Sequence, residues 1–412
     1  MPIADGGSGV VSAAGRHASR RLILQRLRRR GEASRAELAR DAGITHTAVG
    51  QIVLQLERAG LVHTVGQRRD GQRGQPATLL ALDPRGAYAI GVRLDRARIE
   101  TALLDLGGTV LAQRSHEQTL PPPEAALHLV RADVDAMVHQ VPPARRRRIA
   151  GIGIARPYNL GSWLAELGLP RESFAPWATF AFGAGLERAC GLPVREENDG
   201  TAAAVAELFH GHGGDDFLYV FIGAAIGGGI VLDGQAVRGR NGNAADIGMI
   251  PVAPSRLASV AKPQDGHVPL LARASIAALR RHLRHCGESA ASITAAGRSR
   301  AVEEWLEDCT TALVAPLLTA RTLLDVPLVV IDGDLPAALI DQIIDRLGPR
   351  LQAATAAART PPALLRGSFG SRAGALGAAT LLLFWQLAPG LGRLGAAPHD
   401  PDRTRGADAV IT

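Results

Sequence analysis

The 412-residue chain has only three cysteines, one lysine and no run long and apolar enough to cross a membrane. Cys190, Cys286 and Cys309 lie far apart and are odd in number, which argues against a disulfide framework and for reduced thiols. Lys262 is the lone lysine, a bias that genome composition accounts for without any special guanidinium chemistry. The longest uncharged stretches are residues 217–232, full of glycine, and 373–391, which contains Gln386 and Pro389; neither reads as a membrane span. Residues 1–15 lack the basic start and apolar core of a signal peptide. They read as a loose leader, and the protein as cytoplasmic.

With 46% hydrophobic and 21% charged residues, the chain is neither wholly disordered nor fibrous, and its length excludes a solitary small module. The net charge of +7 is unevenly placed. Residues 1–85 hold 14 arginines against 7 acidic residues, and the remainder carries 32 of each sign. A basic head on a neutral body points to nucleic acid or an anionic membrane surface.

The head reads as three helices and a hairpin. The first helix is expected over residues 20–30, with Leu22, Ile23, Leu24 and Leu27 on its apolar face and Gly31 as its stop. Ser34 and Glu37 form an S-x-x-E capping box at the start of a short second helix. Gly43 supplies the left-handed turn, Thr45 caps the third helix, and Val49, Ile52, Val53 and Leu56 recur on its inner face. Its outer face carries His46, Thr47, Gly50, Gln51 and Gln55. This is the pattern of a helix-turn-helix whose third helix enters the major groove, with Thr47 and Gln51 reaching base edges and Ser34 and Arg35 holding phosphates. Residues 61–65 and 77–82 read as strands around a wing that carries Arg68, Arg69 and Arg73. The competing reading is a three-helix protein-binding domain with a solvated basic face. A second basic run, residues 145–148, is expected as a solvated helix end or loop.

From residue 87 the pattern becomes α/β. Strands near 87–92, 98–104 and 109–114, a helix over 124–140 and a buried strand over 149–155 form one lobe. A weaker second series, with strands at 217–222, 227–232 and 328–331 and helices near 275–284 and 301–324, forms another. Two related lobes with a cleft between them follow.

The run Gly191-Leu192-Pro193-Val194, followed by Glu197-Asn198-Asp199-Gly200-Thr201 and Glu207, resembles a segment of the ROK family (repressors, open reading frames and sugar kinases). So do the turn Gly223 to Ile230, the glycine-rich stretch 239–248, the strand at 151–155 and the closing segment 370–379; together the resemblance spans about residues 18–385. It implies an actin-like ATPase (ribonuclease H-like) fold with sugar and nucleotide sites in the cleft. It divides the chain into a leader (1–17), a winged helix-turn-helix (18–84), lobe 1 (85–200, completed by about 372–388), lobe 2 (201–371) and a loose tail (389–412). In family kinases the residue matching Asp199 is the general base, and Asn198 would hold a neighbouring hydroxyl. Asp199 also has a plain structural reading as the N-cap of a helix beginning near Gly200.

Departures from the family pattern bear on activity. The kinases' first phosphate turn, aspartate-x-glycine-glycine-threonine, is replaced by Arg93-Leu94-Asp95-Arg96, and Ala224 and Ala225 follow Gly223. ATP is therefore not expected as a cofactor, although Gly227, Gly228 and Gly229 retain the glycines of an anion cradle. The family's sugar-binding glutamate and zinc-binding histidine fall on Asp246 and Met249, and its clustered cysteines are absent, so no zinc is expected. Asp246 can still accept one hydroxyl. The expected ligand contacts are Asn198, Asp199, Asp246, Gly227 and Gly228. The leading reading is a transcriptional regulator, with an operator as one partner, a carbohydrate-like effector as the other, and a homodimer or homotetramer as its assembly. Its alternatives are a ROK sugar kinase retaining a DNA-binding head and a regulator whose body only oligomerises.

Overall fold

The structure, a computed structural model, describes residues 13–68, 76–262, 266–294, 299–355 and 360–387. The head begins with α1 (Ala13–Arg30), β1 (Glu32–Ser34), α2 (Arg35–Ala42) and α3 (His46–Arg58), and ends with β2 (Val62–Arg68) and β3 (Ala77–Leu82). Helix α1 starts earlier than residue 20, because good helix formers flank Gly15 on both sides. The capping box forms in full: Ser34 Oγ accepts from Glu37 N, and the Glu37 carboxylate accepts from Ser34 N. Gly43 takes the left-handed conformation at φ 62°, and Thr45 Oγ1 accepts from Ala48 N to start α3. Val49, Ile52, Val53 and Leu56 are buried, as their spacing requires.

The expected hairpin is one element short. Three-residue β1 adds an antiparallel strand to the far side of β3, giving the order β1-β3-β2. Residues 69–75, which include Arg69 and Arg73, lie outside the described residues.

The body contains two five-stranded mixed sheets. The first uses β4 (Tyr88–Asp95), β5 (Arg98–Asp105), β6 (Val110–His116), β7 (Ile149–Arg156) and β8 (Val194–Asn198), with α4 (Pro123–Gln140), the short α5 (Leu164–Leu167) and α6 (Arg171–Phe174), and α7 (Phe182–Cys190) among its connections. Helix α8 (Asp199–His210) then leads to the second sheet: β9 (Phe217–Ile222), β10 (Ile226–Leu232), β11 (Gln235–Val237), β14 (Leu328–Gly333) and β15 (Ala363–Arg366). Between β11 and β14 lie the pair β12 (Pro251–Val252) and β13 (Val268–Pro269), then α9 (Ile276–His285) and α10 (Arg300–Leu324). Helix α11 (Ala337–Ala354) precedes β15, and α12 (Ala373–Leu387) follows it.

The strand orders, β6-β5-β4-β7-β8 and β11-β10-β9-β14-β15, are the same path walked twice, three antiparallel strands followed by two parallel ones. The α/β reading with two related lobes holds.

Helices α8 and α12 cross at the centre, where glycine lets backbones touch. A Cβ on Gly377 of α12 would fall 1.7 Å from Ala202 O, and one on Gly200 of α8 would fall 2.0 Å from Gly228 O. Gly91 and Gly153 admit α12 onto the first sheet in the same way.

The head is fastened to this centre. Ile23, Leu24 and Leu27 share one hydrophobic cluster with α8 and α12 residues such as Leu208, Phe209 and Phe384. Arg29 and Arg26 pair with Asp215, and Arg29 also donates to Leu208 O and Gly214 O. The basic run at 145–148, expected as a solvated helix end or loop, lies in a short turn (Pro143–Arg148) with no buried residue, and its Arg148 donates to Gly86 O at 2.8 Å and Ala59 O at 3.3 Å. Among the described residues no helix is long and apolar enough to cross a membrane.

Candidate ligand cleft and nucleic-acid face

A cavity of about 300 Å³ lies between the lobes, lined by the end of β4, the loop after β7, the β8–α8 junction, the β9–β10 turn and the loop at 243–249. That size suits a small ligand. It brings together all five expected ligand residues: Asn198, Asp199, Asp246, Gly227 and Gly228.

Their roles are not all as expected. Asn198, rather than Asp199, caps α8, its Oδ1 accepting from Thr201 N at 3.1 Å. Asp199 is thereby released to face the cavity, anchored only by the adjacent Gly200 N–H at 2.8 Å. Burial, reinforced by repulsion from Asp95, pushes its carboxyl above the usual carboxylate range, while Arg93, the Gly200 N–H and Arg96 pull it down. Such a group accepts or shares a proton more readily than an exposed aspartate.

Gly227, Gly228 and Gly229 belong to a strand, and the first two line the cavity. They sit inside β10 opposite Phe221, Val220 and Tyr219 of β9. Small size serves packing at Gly229, where a Cβ would lie 2.6 Å from both Ala204 Cβ and Gly200 O, whereas a Cβ on Gly227 would meet nothing within 4 Å. The turn proper is 223–225, and the α9 N-terminus donates to its carbonyls, Ile276 N to Gly223 O and Ala277 N to Ala224 O.

Arg93 lines one end of the cleft, at the close of β4. It is buried and donates both guanidinium NH2 groups to Asp334, at 3.2 Å each, and one of them to Asp95 at 2.9 Å. Glu100 stands 3.7 Å away, Ser371 O accepts at 2.8 Å, and the guanidinium lies 5.0 Å over the Phe221 ring. Burial alone would lower its pKa, but Asp334, Asp95 and Glu100 raise it, so Arg93 remains charged. Because Asp95 and Glu100 belong to the neighbouring strands β4 and β5 of the first sheet and Asp334 follows β14, this network ties one lobe to the other. Arg96 is buried beside it and donates to Asn159 O, Leu160 O and Ser162 O.

The sequence reading missed Asn159, Trp163 and Asn243, which also line the cleft. Asn243 Nδ2 donates to Asp246 at 3.1 Å and holds that exposed carboxylate in place. Trp163 and Ala245 both adopt left-handed backbone conformations, φ 63° and 62°. Strain of this kind in non-glycine residues gathers where a site dictates the backbone. The available signal was position, since residues just past a parallel strand's carboxyl end line clefts in α/β folds.

The opposite end of α8 meets the head. Arg28 donates to His210 Nδ1 from Nε at 2.9 Å and Nη2 at 2.7 Å. Arginine has no acceptor, so Nδ1 accepts and Nε2–H donates to Thr380 Oγ1 at 2.7 Å. Burial, with the Arg28 charge beside it, lowers the His210 pKa to about 3.

On the head, His46, Thr47, Gln51 and Gln55 of α3 are exposed, together with Thr45 and Arg35. Arg35 lies 3.8 Å from Glu57. Ser34 is corrected as a phosphate contact, because it is buried and its hydroxyl is committed to the Glu37 cap. Arg68 is bound to Glu37 at 2.6 Å, at the root of the hairpin. The Ser34 N–H bond, with Arg68 adding to it, lowers the Glu37 pKa to about 2.

A profile described as ROK family matches residues 89–384. "Uncharacterized protein y4fQ" of Sinorhizobium fredii is 32% identical over 372 residues, covering 89% of this chain and 90% of that protein. The DNA-binding transcriptional repressor Mlc of Escherichia coli is 26% identical over 54% of this chain, and the match spans 55% of the repressor's length. Among solved structures, a ROK family transcriptional regulator, a homologue of the E. coli Mlc protein, superposes with a TM-score of 0.66 at 23% identity over 92% of this chain and 98% of its own. A ROK family glucokinase from Streptomyces griseus, in complex with glucose and AMPPNP, gives 0.57 at 23% identity over 72% and 99%. At these identities the structures establish an α/β body of the actin-like, sugar-kinase type, and with the profile match across most of the chain they show that it belongs to the ROK family.

Proposed function

We propose that the protein is a transcriptional regulator: the head is a winged helix-turn-helix that reads an operator, and the cleft holds a carbohydrate-like effector. The observation that carries this reading is α8, which begins at cleft residue Asp199 and ends at His210 against α1 of the head. One rigid helix therefore joins a small-molecule cavity to a basic module whose α3 presents His46, Thr47, Gln51 and Gln55 outward. The Mlc repressor's relation to the chain supports DNA as the partner. Effector binding at Asp199 and Asp246 would shift lobe closure, and with it the seat of α1. Two heads of a homodimer or homotetramer would then lose their match to operator half-sites.

The cleft is not a kinase site in this reading. Phosphoryl transfer needs backbone amides and a metal-binding carboxylate near the transferred phosphate. Here Arg93, held by Asp334 and Asp95, lines the cleft where the kinases' first phosphate turn would stand. Neither ATP nor zinc of the family type is part of the proposal. The kinase alternative stays testable because the glucokinase shares the fold.

Gel-shift titration against the protein's own upstream region at low salt tests the DNA reading. Binding should weaken steeply with salt; Arg35→Ala should weaken it on all sequences, and Gln51→Ala should relax preference at one position by about 1–3 kcal/mol. Absence of binding at low salt sinks the proposal. A coupled ATP-consumption assay over hexoses and amino sugars tests the other half. Turnover that disappears in Asp199→Asn would establish the kinase instead.

A further inference from the structure

Away from the cleft, where α9 ends against the first turn of α10, three side chains of different chemistry converge. His282 Nε2 lies 3.2 Å from Glu304 Oε2, and Cys286 Sγ lies 3.8 Å from the same nitrogen. All three candidate ligand atoms fall within 4.8 Å of one another. Cys286 caps the C-terminus of α9, its N–H donating to His282 O, and follows His282 by four positions, one turn of helix, so both side chains project from the same face. His282 is buried, Glu304 is half-buried and Cys286 is exposed, which leaves one side of the cluster open to solvent.

From this geometry we propose a site for a divalent transition metal, zinc by preference, held by His282 Nε2, Cys286 Sγ and Glu304 Oε2, with the fourth position open. Zinc takes nitrogen and oxygen ligands at about 2.0–2.1 Å and thiolate at about 2.3 Å, which sets tetrahedral edges of roughly 3.3 Å for N···O and 3.6 Å for N···S. The separations of 3.2 and 3.8 Å match those two edges within a few tenths of an ångström, and the third, S···O, lies within 4.8 Å.

The surroundings orient the ligands as metal sites do. Ser259 Oγ lies 2.9 Å from His282 Nδ1, so when Nδ1–H donates to Ser259 the Nε2 lone pair faces the cluster. Arg300 Nε donates to Glu304 Oε1 at 2.8 Å, which holds that oxygen aside and leaves Oε2 for the metal. The local charge also favours a dication. Glu304 brings one negative charge to the cluster, and Cys286 a thiol with one dissociable proton. On binding, the thiol loses that proton to solvent and the thiolate joins Glu304 in neutralising the ion. The opposing arrangement is a plain hydrogen bond, in which His282 Nε2–H donates to Glu304 and Ser259 donates to Nδ1.

The test uses the full-length protein stripped with a chelator and titrated with Zn²⁺ against a chromophoric competitor, and separately with Co²⁺. One equivalent per chain is expected, with a thiolate-to-cobalt charge-transfer band. Cys286→Ala should abolish the band, Glu304→Gln should weaken binding at least tenfold, and Ser259→Ala should weaken it about 10- to 100-fold. Cys286 and Glu304 are accessible, so matching circular dichroism and melting temperature in the apo variants separate lost metal from lost fold. No stoichiometric binding to the wild type overturns the proposal. So does binding that is unchanged in Cys286→Ala, or a cobalt complex without the thiolate band.

Discussion

The two ends of α8 are built on opposite terms. At the start, Asn198 takes over the capping duty and leaves Asp199 in a cavity with a raised pKa and one local hydrogen bond. At the finish, His210 uses both ring nitrogens, on Arg28 and Thr380, and Arg29 pairs with Asp215 beyond the end of the helix. The first end keeps polar capacity for a visitor, and the second is a finished joint. Twelve helical residues at 1.5 Å each put about 16 Å between the end residues. A rigid rod with one receptive end and one fastened end is what a sensor coupled to a head requires.

Replacing Gly200 should break both ends together. Gly200→Ala puts a Cβ against Gly228 O, and neither backbone can yield without moving α8 off β10. Overpacking at a backbone contact should cost about 3 kcal/mol or more, read as a fall in the denaturation midpoint. A shift below about 1 kcal/mol would show that α8 is less rigidly seated than the rod picture demands.

Arg93→Ala attacks the receptive end alone. It leaves Asp95, Glu100 and Asp334 without their shared cation, and breaking such a buried network typically destabilises by about 3–5 kcal/mol. Denaturant unfolding should show that loss, with the lobes separating more easily under limited proteolysis. If stability is unchanged, Arg98, which also reaches Asp334 at 3.4 Å, suffices to hold the lobes.

The fastened end should answer to pH. His210 has a folded pKa lowered to about 3 from 6.5, so its contribution is complete above about pH 6.5 and is lost as the pH falls toward 3. At pH 5 the loss amounts to about 2 kcal/mol. Comparing wild type with His210→Asn between pH 7 and pH 5 should show the extra acid sensitivity only in the wild type. Equal sensitivity in both would place the acid-labile group elsewhere.

Much of this frame was legible because local rules decide it. The Ser34–Glu37 box, the Gly43 turn, the Thr45 cap and the inner face of α3 each depend on residues within a few positions, and each forms where its spacing puts it. The repeated strand order was legible only as two series, since register is set by partners far along the chain. Strand β1 escaped because three residues carry no period. At the site, the types of Asn198 and Asp199 were readable but their division of labour was not: which of two adjacent residues caps a helix depends on the angle at which β8 enters α8. The glycines of β10 were ambiguous for a related reason. A glycine that admits a helix and a glycine that admits a phosphate look alike until the helix is seen. The charge opposite Arg93 comes from Asp334, 241 positions away, and no local pattern announces it.

The central claim is that the receptive end governs the fastened one. The direct measurement is DNA affinity for the protein's own upstream region, with and without a sugar first identified by thermal shift, in wild type and Asp199→Asn. The account predicts that the sugar changes wild-type affinity by at least about fivefold, whereas Asp199→Asn binds the same DNA equally well and no longer responds. A wild type whose DNA affinity ignores a sugar that demonstrably occupies the cleft, or an Asp199→Asn variant that still responds in full, would contradict it.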